Sequence, residues 1–194
     1  MIALHNYSLP LHRPFTSSRG QFSERKGILI SVQAGQFTGW GEAAPLPGLS
    51  QESLIEVHDE LVSVQSANDA LPKTFSDVAP WVEGRCQTPS AQNALATAIL
   101  DAMGQWANRS VAHLLNPNPR KEIPISHLYT NDDALFHATV LGTQLVKVKV
   151  GTGTIDDDVR RITHIREIVG PDISFRADAN GAWTESQAME AIER

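Results

Sequence analysis

After Pro119 the chain alternates between segments typical of a strand and segments typical of a helix. The predicted strands are rich in β-branched residues and cover residues 123–129, 145–151 and 172–180. The predicted helices lie between and after them, at residues 132–142, 155–169 and 184–194. The repeat of about 30 residues is the size of a βαβ unit. Units of this kind form a parallel sheet, open or closed, which is the strongest limit that the sequence places on the fold.

The residues before Pro119 show a mixed pattern. Three segments are predicted strands because they alternate or are β-branched, at residues 1–9, 27–35 and 37–43. A helix is predicted from about Gln51, with Ser50 as its N-cap. A longer helix is predicted over residues 91–109, with Ser90 as its N-cap. The first part of the chain is therefore predicted to contain a mixture of strands and helices.

Breaks in the pattern divide the chain. Polar residues 13–26 are predicted to form a mobile loop, and residues 66–88 an irregular connection. The Asn-Pro-Asn-Pro run at residues 116–119 is typical of a domain boundary. The sequence therefore predicts two domains, residues 1–118 and residues 119–194.

Lys147 and Lys149 alternate with valines in the second of the predicted parallel strands. Since side chains alternate across a strand, the valines face one side and both lysines the other. If the valines pack under helices, the ammonium groups point to the opposite face, which in a closed barrel is the interior. Ammonium groups about 7 Å apart repel each other, which favours a lysine that acts as a base. The alternative is a solvated edge strand whose lysines discourage aggregation.

The next predicted strand repeats this polarity at its carboxyl end. Arg176, Asp178 and Asn180 share one face, and two alanines share the other. Active sites of (β/α) barrels lie at the carboxyl ends of the strands. An aspartate beside two lysines there could hold a hard cation such as Mg²⁺ through oxygen ligands, or form a plain salt bridge with a lysine. The two strands together favour a functional site.

Composition excludes several classes of partner. The 16 basic residues are outnumbered by 22 acidic residues, for a formal net charge of −6, which argues against binding to nucleic acid or to an anionic membrane. A single cysteine, Cys86, excludes an internal disulfide and a cysteine-based zinc site. No apolar run approaches the roughly 20 residues that span a bilayer, and the first residues lack the apolar core of a signal peptide. We therefore expect a cytoplasmic protein that acts on a small molecule.

The Lys-x-Lys strand and the Arg-x-Asp-x-Asn strand that follows it resemble the enolase superfamily, in its muconate-lactonizing subgroup. Residues 39–52, GWGEAAPLPGLSQE, are similar to a loop in the capping domain of the o-succinylbenzoate synthase family. Residues 176–184, RADANGAWT, resemble the same family. The resemblance runs from the first predicted strand to the last residue. It implies an α+β capping domain followed by the start of a (β/α) TIM-type barrel.

The resemblance also implies an activity and a role for each polar residue. Members of the family bind the substrate carboxylate with a divalent cation, Mg²⁺ (or Mn²⁺), and a lysine removes the proton α to that carboxylate. In the synthases of menaquinone biosynthesis the same lysine then helps a hydroxyl group to leave, so the net reaction is a dehydration. By position, Lys149 is the catalytic acid and base, Lys147 its electrostatic neighbour, and Asp178 the first metal ligand. Asn180 and Arg176 are expected beside the small-molecule carboxylate substrate.

Two segments of the predicted capping domain are also implied to contact the substrate. The polar loop at residues 19–26 would close over it. Residues 45–49, which contain two prolines, would line it.

The predicted barrel is incomplete. Only 75 residues follow Pro119, whereas an eight-stranded barrel with its helices takes about 250. This leaves room for three barrel strands, and none for the two further acidic ligands and the second catalytic lysine that the resemblance implies. The last residues lie inside a predicted amphipathic helix. We therefore expect an N-terminal portion of such an enzyme, without dehydratase activity of its own.

Two other functions are alternatives to the dehydratase. N-acylamino acid racemases and dipeptide epimerases of the same superfamily share the Lys-x-Lys strand and the metal aspartate, and they use lysines on opposite faces of the substrate. A non-catalytic module that kept the fold would bind a ligand or a partner without a metal. The sequence predicts no particular oligomeric state.

Overall fold

The computed structural model describes residues 1–17 and 20–194. The chain divides into two compact units, Met1–Arg120 and Lys121–Arg194. Across the described residues, every helix is too short or too polar to cross a membrane.

The first unit contains an antiparallel sheet of three strands in chain order. The strands are β1 (Ile2–Ser17), β2 (Gly20–Ala34) and β3 (Phe37–Ala43). The mobile loop predicted over residues 13–26 is wrong, because β1 and β2 continue through it, with Ser18 and Arg19 outside the described residues. Pro10 lies opposite Glu24 in this extension. The strands are joined by backbone hydrogen bonds, which do not depend on the side chains. The polar end of a hairpin can therefore be a strand without the alternation of apolar residues from which strands were predicted.

Helices of the first unit share a hydrophobic core with the sheet. Of α1 (Leu54–Ala67), α2 (Val78–Glu83), α3 (Pro89–Ala107) and α4 (Val111–Leu115), the first three have buried residues. Their buried apolar side chains pack with alternate residues of β2, namely Ile28, Ile30 and Val32. The irregular connection predicted over residues 66–88 is wrong in part, because it contains α2.

The long helices begin a few residues away from the predicted caps. α1 begins after Ser53, whose side chain forms a capping box, and not after Ser50. α3 begins after Thr88, with Pro89 at its first position. Proline suits that position because the first N–H of a helix has no intrahelical partner. Ser90 therefore lies inside α3 and is not its cap.

Two glycines allow β3 to lie directly against α3. A Cβ atom at Gly39 would lie 1.9 Å from the carbonyl oxygen of Ala98, and a Cβ atom at Gly41 would lie 2.0 Å from the carbonyl oxygen of Ala94. These distances are far below van der Waals contact. The glycines of the GWGE segment are therefore required for packing of the helix on the strand.

The second unit confirms the predicted alternation of strands and helices. Its parallel sheet has the order β4-β5-β6 and consists of β4 (His127–Leu128), β5 (Leu145–Lys149) and β6 (Ser174–Asp178). The helices are α5 (Asp132–Val140), α6 (Ile155–Val169) and α7 (Glu185–Glu193). The first strand is much shorter than the predicted range of residues 123–129. The carboxyl ends of β5 and β6 lie level with each other, since Lys149 pairs with Asp178.

The core of the second unit lies on one face of the sheet. It is formed by buried side chains of β5, α5 and α6 together with Val150, and these are Leu135, Val146, Val148, Val150 and Ile165. Thr154 caps α6, in a capping box with Asp157. One face of β5 is therefore fixed against helices, which leaves its alternate residues on the other face.

Candidate active site

The predicted polar face of β5 is confirmed. Val146 and Val148 are fully buried, whereas the side chains of Lys147 and Lys149 are 32% and 42% exposed. Since strand residues alternate, both lysines lie on the face opposite the core. Lys149 is the last residue of its strand, so its side chain lies at the carboxyl end of the sheet.

One carboxylate oxygen joins the two lysines. Oδ2 of Asp178 lies 2.7 Å from Nζ of Lys147 and 2.7 Å from Nζ of Lys149. The predicted convergence of the three groups is therefore confirmed, and their contacts are those of a salt bridge. Hydrogen bonds from Lys147 and then from Lys149 hold the pKa of Asp178 well below its usual range, although partial burial opposes this shift.

Asn180 extends the same network. Its Oδ1 accepts a hydrogen bond from Nζ of Lys149, and its backbone N–H donates to Oδ1 of Asp178 at 3.0 Å. The φ angle of Asn180 is +49°, in the left-handed region that asparagine tolerates better than most residues. The turn after β6 thus returns the Asn180 side chain toward the lysine at the end of β5.

Arg176 is the predicted site residue that this network does not include. It lies opposite Lys147 in the register of the two strands, on the same face, and its side chain is exposed. Within the described residues, the hydrogen bonds and ion pairs of the network join Lys147, Lys149, Asp178 and Asn180 only. Arg176 thus adds positive charge beside the network without a contact to it.

The oxygen atoms of Asp178 do not complete a site for a divalent cation. Mg²⁺ takes near-octahedral oxygen ligands, usually one or two carboxylates with water and substrate oxygens. In Asp178, Oδ2 accepts from both lysines and Oδ1 accepts from the backbone of Asn180. In the part of the chain that the structure describes, no three His, Cys, Asp or Glu side chains are grouped to hold a metal ion. The described residues therefore supply one carboxylate here, that of Asp178, and do not by themselves fit Mg²⁺.

Sequence analysis missed two residues of α6 that contact the end of β5. Arg161 donates from Nη1 to the carbonyl oxygen of Lys149 at 2.7 Å. Asp158, which is 1% exposed, accepts the backbone N–H of Gly151 at 2.7 Å. A signal was present in the sequence, since Asp158 lies four residues before Ile162 and so on the apolar side of the helix.

A cavity of about 590 Å³ lies in the first unit, and residues 21–26 and 45–48 contribute to its lining. Residues 21–26 belong to β2, so the loop predicted to close over a substrate is strand, and Arg19 lies outside the described residues. Arg25 donates to the carbonyl oxygen of Pro45 at 3.2 Å. The strand and the proline segment are thus held together on one side of this cavity.

Two family models match the chain, one in each part. Residues 1–101 match the model described as MenC, N-terminal domain. Residues 134–194 match the model described as Enolase C-terminal domain-like. The first match alone covers more than half of the chain.

Curated relatives of two different activities are equally similar. The N-succinyl-L-Arg/Lys racemase of Bacillus cereus is 29% identical, over 95% of this chain and 53% of the relative. The o-succinylbenzoate synthase of Escherichia coli is also 29% identical, over 96% of this chain and 52% of the relative. The chain therefore spans about half the length of the curated relatives that it matches.

A solved structure extends the likeness to the fold. A dipeptide epimerase from Enterococcus faecalis, complexed with Mg and the dipeptide L-Leu-L-Tyr, superposes with a TM-score of 0.86 at 25% identity, over 99% of this chain and 56% of that chain. The first unit is thus an α+β capping domain and the second is the start of a (β/α) barrel, with three parallel strands that do not close within the described residues. The chain belongs to the enolase superfamily, and its N-terminal domain is of the MenC type.

Proposed function

We propose that this chain belongs to an o-succinylbenzoate synthase-like dehydratase of menaquinone biosynthesis, and that Lys149 transfers the proton. The observation that carries the proposal is the meeting of Lys147, Lys149 and Asp178 at the carboxyl ends of adjacent parallel strands. The MenC-type domain in the same chain favours the synthase among the activities of the superfamily. The activity is proposed for a protein of the relatives' full length, and we expect the 194 residues alone to be inactive. A cytoplasmic location stays a prediction.

The proposed chemistry uses Lys149 as base and then as acid. In its amine form, Nζ takes the proton from the carbon α to the substrate carboxylate. The ammonium group so formed gives that proton to the hydroxyl group on the neighbouring carbon. The C–H and C–O bonds break, a C=C bond forms, and one water molecule leaves.

Lys149 is the better candidate of the two lysines for this role. It ends its strand, and its side chain is more exposed than that of Lys147, at 42% against 32%. Its Nζ donates hydrogen bonds to Asp178 and to Asn180. Proton abstraction therefore requires Asp178 to engage another partner when substrate is bound. Lys147 would then oppose a positive charge on Lys149, because two ammonium groups repel each other at this distance.

The remaining polar residues have proposed roles as ligands. Asp178 would supply one oxygen ligand to a divalent cation, Mg²⁺ or Mn²⁺, whose other ligands would have to come from a longer chain, another molecule or the substrate. Such a cation, when bound, stabilises negative charge on a carboxylate substrate. Arg176 is exposed on the same face and would attract that carboxylate, and Asn180 would offer it an amide donor.

A racemase acting on N-succinyl amino acids is the second candidate. It is favoured by the Bacillus cereus relative, which is as similar to this chain as the synthase is. Racemisation returns a proton to the opposite face of the same carbon. Lys147 and Lys149 lie on one face of one strand and contact the same oxygen, so the second acid would have to come from elsewhere.

A direct comparison of substrates tests the proposal. The protein of natural length is assayed with the cyclohexadiene hydroxy acid for loss of water, and with N-succinyl-L-arginine and N-succinyl-L-lysine for loss of optical activity. We expect dehydration to have the larger kcat/KM. Racemisation with the larger kcat/KM would replace the first candidate by the second. If the protein binds one of these compounds without a metal and converts none of them, it is a non-catalytic binding module.

A further inference from the structure

Two side chains of α6 satisfy the backbone groups that flank the end of β5. The Lys147 carbonyl accepts from the backbone N–H of Tyr129, and the Lys149 carbonyl points to the same side, beyond the end of β4. There Arg161 takes the place of a strand partner, donating from Nη1 at 2.7 Å. The N–H of Gly151, past the strand end, donates to Oδ2 of Asp158 at 2.7 Å.

Asp158 is an unusual residue for its position. Only 1% of its surface is exposed, and it lies in the side of α6 that faces the core. Among the described residues its Oδ1 has no hydrogen-bond partner, and it lies 3.6 Å from Nη1 of Arg161. A buried carboxylate is costly unless donors and opposite charge compensate it. The donor here is the backbone of the β5 end, and the opposite charge belongs to the residue that holds the Lys149 carbonyl.

We propose that Asp158 and Arg161 are positioning residues for Lys149. Together they form a clamp, defined as these two side chains, that fixes the backbone on both sides of Val150 and so directs Nζ of Lys149 toward Asp178. Gly151 allows the chain to turn immediately after the clamp, with a φ of +79°. For its effect on turnover the inference rests on the proposed function; its structural part does not.

The chain contains a matched control on the same helix. Asp157 and Arg160 form an ion pair with the same i, i+3 spacing, but their side chains are 44% and 70% exposed. Arg160 contacts Asp157 at the surface, whereas Arg161 contacts the backbone of β5. Arg160→Ala removes an arginine from α6 without removing a contact to the end of β5.

The kinetic test compares Arg161→Ala, Arg160→Ala and Lys149→Ala in the protein of natural length. Displacing a reacting group by about 1 Å can cost about 10²-fold in rate, so we expect Arg161→Ala to lower kcat about 100-fold. KM should change little, and Arg160→Ala should resemble the parent. The unfolding midpoint of Arg161→Ala should fall, because the buried Asp158 loses its opposite charge, so kcat is compared at a temperature at which every variant is folded. Parental kcat in Arg161→Ala, when Lys149→Ala is inactive, would overturn the inference and leave the proposed function intact.

A structural test does not depend on turnover. Amide hydrogen exchange at Gly151 is measured in Asp158→Ala and Asp158→Asn, since an asparagine oxygen can still accept the Gly151 N–H. A hydrogen bond to a charged group contributes enough that its loss should speed exchange at least about tenfold in the alanine variant. The asparagine variant should retain part of the protection. Unchanged exchange in the alanine variant would overturn the clamp.

NMR of the Lys149 ammonium group completes the test and also covers failure of the proposed function. We expect its signal to shift or to broaden by faster proton exchange in Arg161→Ala, because Nζ leaves Asp178, and to stay unchanged in Arg160→Ala. A parental Lys149 signal in Arg161→Ala would show that Arg161 only stabilises the fold. If Lys149→Ala keeps parental turnover, the proposed function fails, and the NMR and exchange results still decide whether the clamp positions this side chain.

Discussion

Strands β3 and β5 can be compared through a pair of identical residues at positions i and i+2 in each. In β3 the pair is Gly39 and Gly41, and in β5 it is Lys147 and Lys149. Both pairs mark one face of a strand, because side chains alternate. The glycine face is closed by the backbone of α3, and the lysine face is partly open and polar. The spacing thus selects a face, and the residue type decides whether that face packs or takes part in chemistry.

The surroundings of the two pairs follow the same division. The face of β3 contacts a helix so closely that a single methyl group would overlap its carbonyl oxygens. The lysines of β5 contact the Asp178 carboxylate of the neighbouring strand. The opposite face of β5 carries the valines that belong to the core. A family resemblance read from both segments therefore has two physical origins, helix packing in the first unit and a polar site in the second.

The largest expected effect is on turnover and concerns the lysine pair. Lys149→Ala in the protein of natural length should lower kcat between about 10² and 10⁴-fold, the range that a positioned acid or base supplies. Lys121→Ala, at an exposed position of the same unit, is the control and should resemble the parent. Assay of both variants with the dehydratase substrate checks this. Near-parental turnover of Lys149→Ala would show that Lys149 has no catalytic role, and the lysine pair would then be structural like the glycine pair of β3.

The glycine pair is tested by stability. Gly39→Ala places a methyl group 1.9 Å from the Ala98 carbonyl oxygen, so strand and helix must separate. Overpacking of this kind should lower the free energy of unfolding by about 3 kcal/mol. The control is Gly84→Ala, where the nearest atom to the new methyl group is 3.4 Å away. Denaturant unfolding of both variants measures the difference, and equal stability would contradict a packing role for Gly39.

Period-two polarity was sufficient to predict the lysine site. The sequence placed Lys147, Lys149 and Asp178 on one face of two parallel strands, and the structure brings them to one carboxylate oxygen. Strand pairing makes this possible, because equivalent ends of parallel strands are level. The same pattern could not predict the strands within the polar residues 13–26, since their backbone pairing requires no apolar pattern.

The start of α1 and the clamp were not predicted from the sequence, for different reasons. Ser53 stands three residues before Glu56, which is the capping-box pattern, so the start of α1 was readable and Ser50 was the wrong choice. Asp158 is one of three adjacent acids at the start of α6, where acids commonly favour the helix dipole. Its place on the apolar side of α6 follows from the sequence, but the backbone N–H of Gly151 that it accepts depends on the path of the chain after β5, which no local pattern contains.

The two pairs also differ in what they contact, because the lysines contact the carboxylate of Asp178 and the glycines contact a helix backbone. Asp178→Asn should weaken Mg²⁺ binding by the protein of natural length at least about tenfold, since even groups outside the ligand shell affect affinity by that amount. Asp172→Asn, at an exposed position before β6, is the control. Calorimetric titration with MgCl₂ gives both affinities. An unchanged affinity in Asp178→Asn would remove Asp178 as a ligand and leave it as a salt-bridge partner only.

The smallest expected effect is a pH dependence confined to the second unit. His164 lies 2.9 Å from Oδ2 of Asp132, and this hydrogen bond, with the attraction of opposite charges, raises the pKa of His164 and lowers that of Asp132. The stabilisation from His164 is complete below its unfolded pKa and is lost as the pH rises through the raised value. That from Asp132 is lost as the pH falls through its lowered value, so the pair should stabilise most between about pH 4 and 6.5.

His164→Gln should therefore flatten the dependence of the unfolding midpoint on pH between 6 and 8, in the transition of the second unit and not in that of the first. Both partners are about half exposed, at 53% and 51%, so solvent screens the pair and the shift should be slight. His137→Gln, at an exposed position of α5, is the control for loss of a histidine. If the variant keeps the parental slope, the charge pair contributes nothing, and the polar contacts that matter in this unit are those around Lys149.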